Sequence, residues 1–212
     1  NKSGAALMFS VIVIMAGCST PTMNPPEIPR HVLVPVSETR RHLPQPPPSD
    51  DALTVARFSA TGECRGTAML YSRAAGERSA YRYHRWYVAL PEMVTDALVD
   101  ELWRSRLFRA VFTDHTYETS RFYLEGRVTD CLEVRVDGRR SVVLGFTAAF
   151  VDGTAKEPSR RILFQQHYQH EQMLEREGPA GVADAMSESL KRLAERLIED
   201  MELVRKNSAG PG

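Results

Sequence analysis

Alternation along one stretch limits the fold more than any other feature of this 212-residue chain. From Phe122 onward, Phe122, Leu124, Gly126, Val128, Leu132, Val134 and Val136 alternate with Tyr123, Glu125, Arg127, Thr129, Cys131, Glu133 and Arg135. A period of two puts the first set on one face of a strand and the second on the other, the pattern of an antiparallel strand that is dry on one side. Asp137-Gly138 is a strong two-residue hairpin signal. The return strand alternates Val142, Leu144, Phe146, Ala148 and Phe150. Asp152-Gly153 opens a longer turn, and residues 161–173 predict a third strand. Such a meander needs a cover for its apolar face.

The cover is legible at the C-terminal end. Val182, Met186, Leu190, Leu193, Leu197, Met201 and Val204 recur at steps of three and four, one stripe of a long amphipathic helix. A second helix opens at Pro91, a favoured first-turn residue, with Glu92 beside it to suit the helix dipole. Val94, Ala97, Leu98 and Leu102 form its stripe, and it ends near Ser105. Shorter strands are predicted over 52–58, 67–72, 79–84 and 107–112, with turns at 62–66 and 74–77. The expected fold class is α+β: a mainly antiparallel or mixed β-sheet with two helices packed on it, in a single domain over 51–205. Residues 206–212 read as a disordered tail.

Before the domain lie two segments of different character. Ala5 to Ala16 is a twelve-residue apolar run preceded by Lys2. It is too short to cross a hydrocarbon core of ~30 Å as a helix, and it has the length of a signal-peptide apolar region. It ends in Met15-Ala16-Gly17-Cys18, which resembles the bacterial lipobox, with Met15 in place of the usual Leu. Residues 1–17 are therefore expected to be a lipoprotein signal peptide and Cys18 the lipidation site. Several acyl chains, at ~0.8 kcal/mol per buried CH₂, make such an anchor effectively permanent. Ser19 stands where lipoproteins kept in the inner membrane typically carry Asp, which points to the outer membrane. Residues 19–50 hold nine of the thirteen prolines, so 18–50 reads as a lipidated Cys and Pro-rich tether. Its one strand-like piece is 31–36, an edge strand because an edge tolerates Pro35.

The chemistry-bearing residues point away from catalysis. No Gly-x-Ser-x-Gly, no His-Glu-x-x-His and no phosphate-cradling glycine loop occurs. His167 and His170 lie three apart in a predicted strand, so they point to opposite faces and cannot share a metal. No catalytic residue, cofactor or metal site is expected. Lys and Arg balance Asp and Glu at 27 each, which leaves no basic excess to attract nucleic acid. With Cys18 acylated, Cys64 and Cys131 remain in an oxidising compartment, where a disulfide between them is open. Cys131 falls on the wet face of its strand and Cys64 in a loop, and sequence does not set their separation. Aromatic and arginine residues crowd Tyr81-Arg-Tyr-His-Arg-Trp-Tyr87, a composition enriched at interface hot spots. Tyr83, Arg85, Trp86 and Tyr87 are the candidate partner-binding residues, and Trp86 reads more readily as a core aromatic at the strand-to-helix junction.

At several of these residues the chain resembles the ABC-type transport auxiliary lipoproteins, the PqiC-like group. The likeness runs from about His31 to Glu202. It rests on Arg65-Gly-Thr-Ala-Met-Leu-Tyr71, Tyr83-His-Arg-Trp86 ahead of a Pro-initiated helix, Ser105-Arg-Leu-Phe-Arg-Ala-Val111, Tyr123-Leu-Glu-Gly-Arg-Val128, and Ser187 and Leu190 in the last helix. His31-Val32 departs from the family's usual Tyr-Tyr or Tyr-Leu. The resemblance implies a non-catalytic accessory of an MCE-type lipid transport system, anchored in the outer membrane and facing the periplasm. Its implied partners are an MCE-domain periplasmic protein with its ABC permease and ATPase, lipid in transit, and further copies of itself. A structural or regulatory envelope lipoprotein, such as a wall-synthase activator or secretion-collar component, is the alternative that the same small fold would serve.

Overall fold

The computed structural model describes residues 28–33, 51–113, 120–157 and 161–208. Cys18, the signal segment and residues 34–50 lie outside the described residues, as do 209–212. The elements, in chain order, are strands β1 (Arg30–His31), β2 (Ala52–Val55) and β3 (Ser59–Ala60), a 3-10 turn (Gly62–Arg65), β4 (Ala68–Ser72) and β5 (Ser79–Trp86). Helix α1 (Leu90–Ser105), β6 (Ala110–Thr113), β7 (Phe122–Val136), β8 (Arg139–Asp152), β9 (Ile162–Met173) and helix α2 (Gly178–Ser208) follow. Helix α2 runs into the segment expected to be tail. Among the described residues no helix is long and apolar enough to cross a membrane.

The fold class expected from the sequence is found. Strands β7, β8 and β9 form the antiparallel meander. Asp137 and Gly138 both take positive φ (50° and 73°), the two left-handed residues that a tight hairpin of this twist requires. The other edge of β7 is shared by three short strands, all parallel to it: β2 at its start, β3 near its middle and β4 towards its end. β6 extends the sheet beyond β2, while β5 and then β1 extend it beyond β4. The two helices contact each other and the sheet. Their stripes, Val94, Leu98 and Leu102 on α1 and Met186, Leu190, Leu193, Leu197 and Met201 on α2, are buried. They cover Val142, Leu144, Phe146, Ala148 and Phe150, all wholly buried.

The regular alternation read along β7 breaks at one point. A register shift falls between Val128 and Asp130, the mark of a β-bulge. Beyond it Cys131 pairs with Leu144 and Glu133 with Val142, so both join the buried series instead of the wet face. Gly145 sits opposite the bulge, where a Cβ would stand 2.6 Å from the Asp130 carboxylate. The flip carries Cys131 towards Cys64, and a disulfide joins them across Cα atoms 5.8 Å apart. It closes a loop of 67 residues, worth ~4 kcal/mol in the chain-entropy picture. The 3-10 turn is thereby fixed to the centre of β7.

The N-terminal segment is part of the sheet. The edge strand read at 31–36 is a parallel pairing of Arg30–His31 with Arg85–Trp86. Tyr87 N–H donates to the His31 carbonyl at 2.7 Å, and Leu33 is buried. The sheet therefore includes residues ahead of residue 51, and residues 34–36 of the expected edge strand lie outside the described residues.

Close packing makes Gly126 sensitive. A Cβ there would lie 2.2 Å from the Phe58 ring, whose edge meets Phe146 with centroids 5.6 Å apart. Gly126→Ala is expected to cost about 2 kcal/mol through overpacking, read as a lowered denaturant midpoint. Reducing the disulfide is expected to lower the thermal midpoint as well, and an unchanged midpoint would show that the bridge stabilises nothing.

Candidate contact surface

Strand β5 carries the aromatic–arginine run, and it is not a flat strand. Ala68 pairs with Arg85 but Leu70 pairs with Ala80, so Met69 alone stands opposite residues 81–84. The extra residues bow outward. Arg85 holds the bow: its Nη1 donates to the Tyr81 carbonyl at 2.6 Å and to that of His84 at 3.3 Å. Arg85 is half-buried in this task, whereas the sequence offered it as a contact residue. Trp86, offered likewise, is 2 % exposed and lies in the core, so it is not available at the surface. Tyr83 and Tyr87 are at the surface.

Beneath the bow is a charged cluster. Glu133 is fully buried, and Arg135 and Arg140 lie on either side of it. Arg140 Nε donates to Oε1 at 2.6 Å, Arg135 Nη2 donates to Oε2 at 2.8 Å, and the Tyr81 hydroxyl donates to Oε2 at 2.7 Å. The Arg135 guanidinium also lies over the Tyr71 ring, 4.3 Å from its centroid. Burial pushes the Glu133 carboxyl up, but hydrogen bonds from Arg135, Tyr81 and Arg140 outweigh it and hold the group below the usual carboxylate range. Burial and the bond to Glu133 raise the Tyr81 phenol. These groups brace β5 against the β7–β8 hairpin. Sequence alternation hid them because the bulge reverses the faces ahead of Glu133.

On the inner side of β5, His84 meets His31 of β1, with Nδ1 and Nε2 3.1 Å apart. One ring donates and the other accepts, so the contact needs at least one neutral ring. Burial first, and then the neighbouring His84, lower the His31 pKa. The pair clips the N-terminal segment to the sheet. His167 and His170 lie far along the chain on β9: His167 pairs with Thr147 and is exposed, while His170 pairs with the buried Leu144. Their registers place them on opposite faces. Among the described residues no group of three or more His, Cys, Asp and Glu could hold a metal ion.

The outer side gathers the exposed apolar residues of both strands. His31 and Leu33 turn inward, so Ile28, Arg30 and Val32 turn outward. Ile28 is 47 % exposed, Val32 48 %, Tyr83 51 % and Tyr87 59 %. Arg30 and Arg82 are exposed among them, with the Arg82 guanidinium 5.3 Å from the Tyr83 ring centroid. The sequence reading placed an edge strand at 31–36 but left Ile28 and Arg30 in the tether, and so missed part of this surface. The apolar residues of 31–36 were the available signal, and the two residues that pair, Arg30 and His31, lie at its very start.

A family model described as ABC-type transport auxiliary lipoprotein component matches residues 36–197. The chain belongs to this family. As an auxiliary lipoprotein it is a component of ABC-type transport located in the cell envelope. Among solved structures it is similar to protein XCC0632 from Xanthomonas campestris, with a TM-score of 0.68 and 17 % identity over 79 % of this chain and 92 % of that one. The hypothetical protein CT253 from Chlamydia trachomatis is similar at a TM-score of 0.50 and 8 % identity, over 73 % of this chain and 96 % of that one. At such identities the likeness is one of fold. No curated protein matches the sequence.

The cluster gives a titration prediction. Glu133 titrates lower in the folded chain than in the unfolded one, so its stabilisation is present above the ordinary carboxylate range and is lost as pH falls through its folded value. Glu133→Gln leaves two partly buried arginines without their carboxylate and is expected to cost about 3 kcal/mol near neutral pH. The gap between variant and parent should shrink in acid, and denaturant unfolding at several pH values checks it.

Proposed function

We propose that this auxiliary lipoprotein is a non-catalytic accessory of an MCE/ABC-type lipid transport system, anchored by an acylated Cys18 in the outer membrane and facing the periplasm. One observation carries the reading: the family match over residues 36–197 is joined by an exposed two-stranded face that carries Ile28, Val32, Tyr83 and Tyr87. Such a face suits holding and positioning. The Cys64–Cys131 disulfide supports an oxidising compartment.

The geometry also revises the idea of a long stalk. Ile28 follows Cys18 by ten residues, and a fully extended chain of that length spans at most about 36 Å. A domain of roughly 155 residues has a radius of gyration of about 15 Å, so the leash is no longer than the domain is wide. The domain stays close to the bilayer that holds Cys18. An ATPase and permease in the other membrane must be reached through a bridging protein that comes to it, the role an MCE partner supplies.

Affinity purification of the full-length chain from native membranes in mild detergent tests this. Recovery of an MCE protein is the expected result. Recovery of wall-synthesis or secretion proteins with no MCE protein would overturn the transport assignment and leave the family and the fold standing.

A further inference from the structure

The outer face of β1–β5 gathers exposed apolar, tyrosine and arginine side chains. Ile28, Arg30, Val32, Tyr83 and Tyr87 are exposed on these two paired strands, Arg82 lies over the Tyr83 ring, and none of the six is acidic. The chain as a whole carries equal numbers of acidic and basic residues, so this face departs locally from the average. Half-exposed tyrosines and aliphatics beside arginines match the water–hydrocarbon boundary, where tyrosine rings sit at headgroup depth and arginines meet lipid phosphates. The face is also close to Cys18 along the chain, with Ile28 ten residues after it.

From this we infer that the β1–β5 outer face rests on the membrane surface that holds the anchor, with Ile28, Val32, Tyr83 and Tyr87 at headgroup depth and Arg30 and Arg82 on the phosphates of anionic lipids. The inference rests on acylation of Cys18, which puts the face within about 36 Å of the bilayer. A bilayer is favoured over a protein partner by that confinement, together with the two exposed arginines beside the apolar residues and tyrosines. The acyl anchor supplies the affinity, and the face supplies the orientation. It leaves the helices and the open face of β7–β9 turned towards other partners.

The test uses the full acylated chain in vesicles of phosphatidylethanolamine with phosphatidylglycerol. Cys64 and Cys131 are bonded to each other and Cys18 is acylated, so a nitroxide attaches only at an introduced thiol. Tyr87→Cys probes the face, and Gln165→Cys on β9, at the opposite edge of the sheet, is the control. Shielding of the Tyr87 position from an aqueous relaxation agent, with collision by lipid-dissolved oxygen, is the expected result, while the Gln165 position stays wet. Arg30→Gln with Arg82→Gln should lower the ratio of face-down to free orientations about 25-fold, at ~1 kcal/mol or about fivefold for each arginine near an anionic surface. A Tyr87 label as wet as the control, in a preparation whose mass shows acylated Cys18, would overturn the inference and leave the transport reading intact. Shielding that appears only after an MCE protein is added would give the face to a protein and overturn it too. An unacylated Cys18 would remove both the anchor and this inference.

Discussion

The ladder between β7 and β8 is the interaction on which the other parts hang. It is continuous from Phe122–Asp152 to Val136–Arg139 apart from one bulge. One face of it is the dry floor that α1 and α2 cover, and the free edge of β7 receives β2, β3 and β4 in turn. None of those short strands could stand alone, since each has five residues or fewer. They persist because a fifteen-residue neighbour offers a preformed row of backbone donors and acceptors. The bulge adds what a plain ladder could not. By reversing the faces it turns Cys131 to meet Cys64 and buries Glu133, where Tyr81 reaches it from β5.

From that frame the positioning of the N-terminal end follows. β4 holds β5 and β5 holds β1, so residues 30–33 are fixed to the domain by backbone pairing, by the His31–His84 contact and by the burial of Leu33. A lipoprotein is often pictured as a domain on a long string. Here residues 30–31 pair with β5, so the Pro-rich residues 34–50 fall, in chain order, between two strands of one sheet. On the proposed acylation of Cys18, the ten residues from Cys18 to Ile28 span at most about 36 Å, which would hold the β1 side of the domain near the bilayer.

Much of this was readable in the residues. The meander, its hairpin turn, both helical stripes and the buried return strand followed from periodicity and from Asp137-Gly138, because each depends on neighbours in the chain. The features that escaped depend on register between distant segments. The bulge at 128–130 leaves one mark in the pattern, Asp130 at an apolar-parity position, and the register against Gly145 is needed to read it. The burial of Glu133 needs Tyr81, Arg135 and Arg140 to be known neighbours. Pairing of Arg30–His31 with Arg85–Trp86 joins residues more than fifty positions apart. The surface residues fared as their environments dictate: Tyr83 and Tyr87 remained outside, while Trp86 went to the core and Arg85 to the backbone of its own strand.

Amide hydrogen exchange on the intact acylated chain addresses the incorporation of the N-terminal segment most directly. The Arg85 amide donates to the Pro29 carbonyl and the Tyr87 amide to the His31 carbonyl, and neither has reason to be slow if the sheet begins at residue 51. Protection of both amides, lost when residues 28–33 are removed, is the expected result. Exchange of both at the rate of an unstructured peptide in the intact chain would contradict it, returning the domain to a long tether.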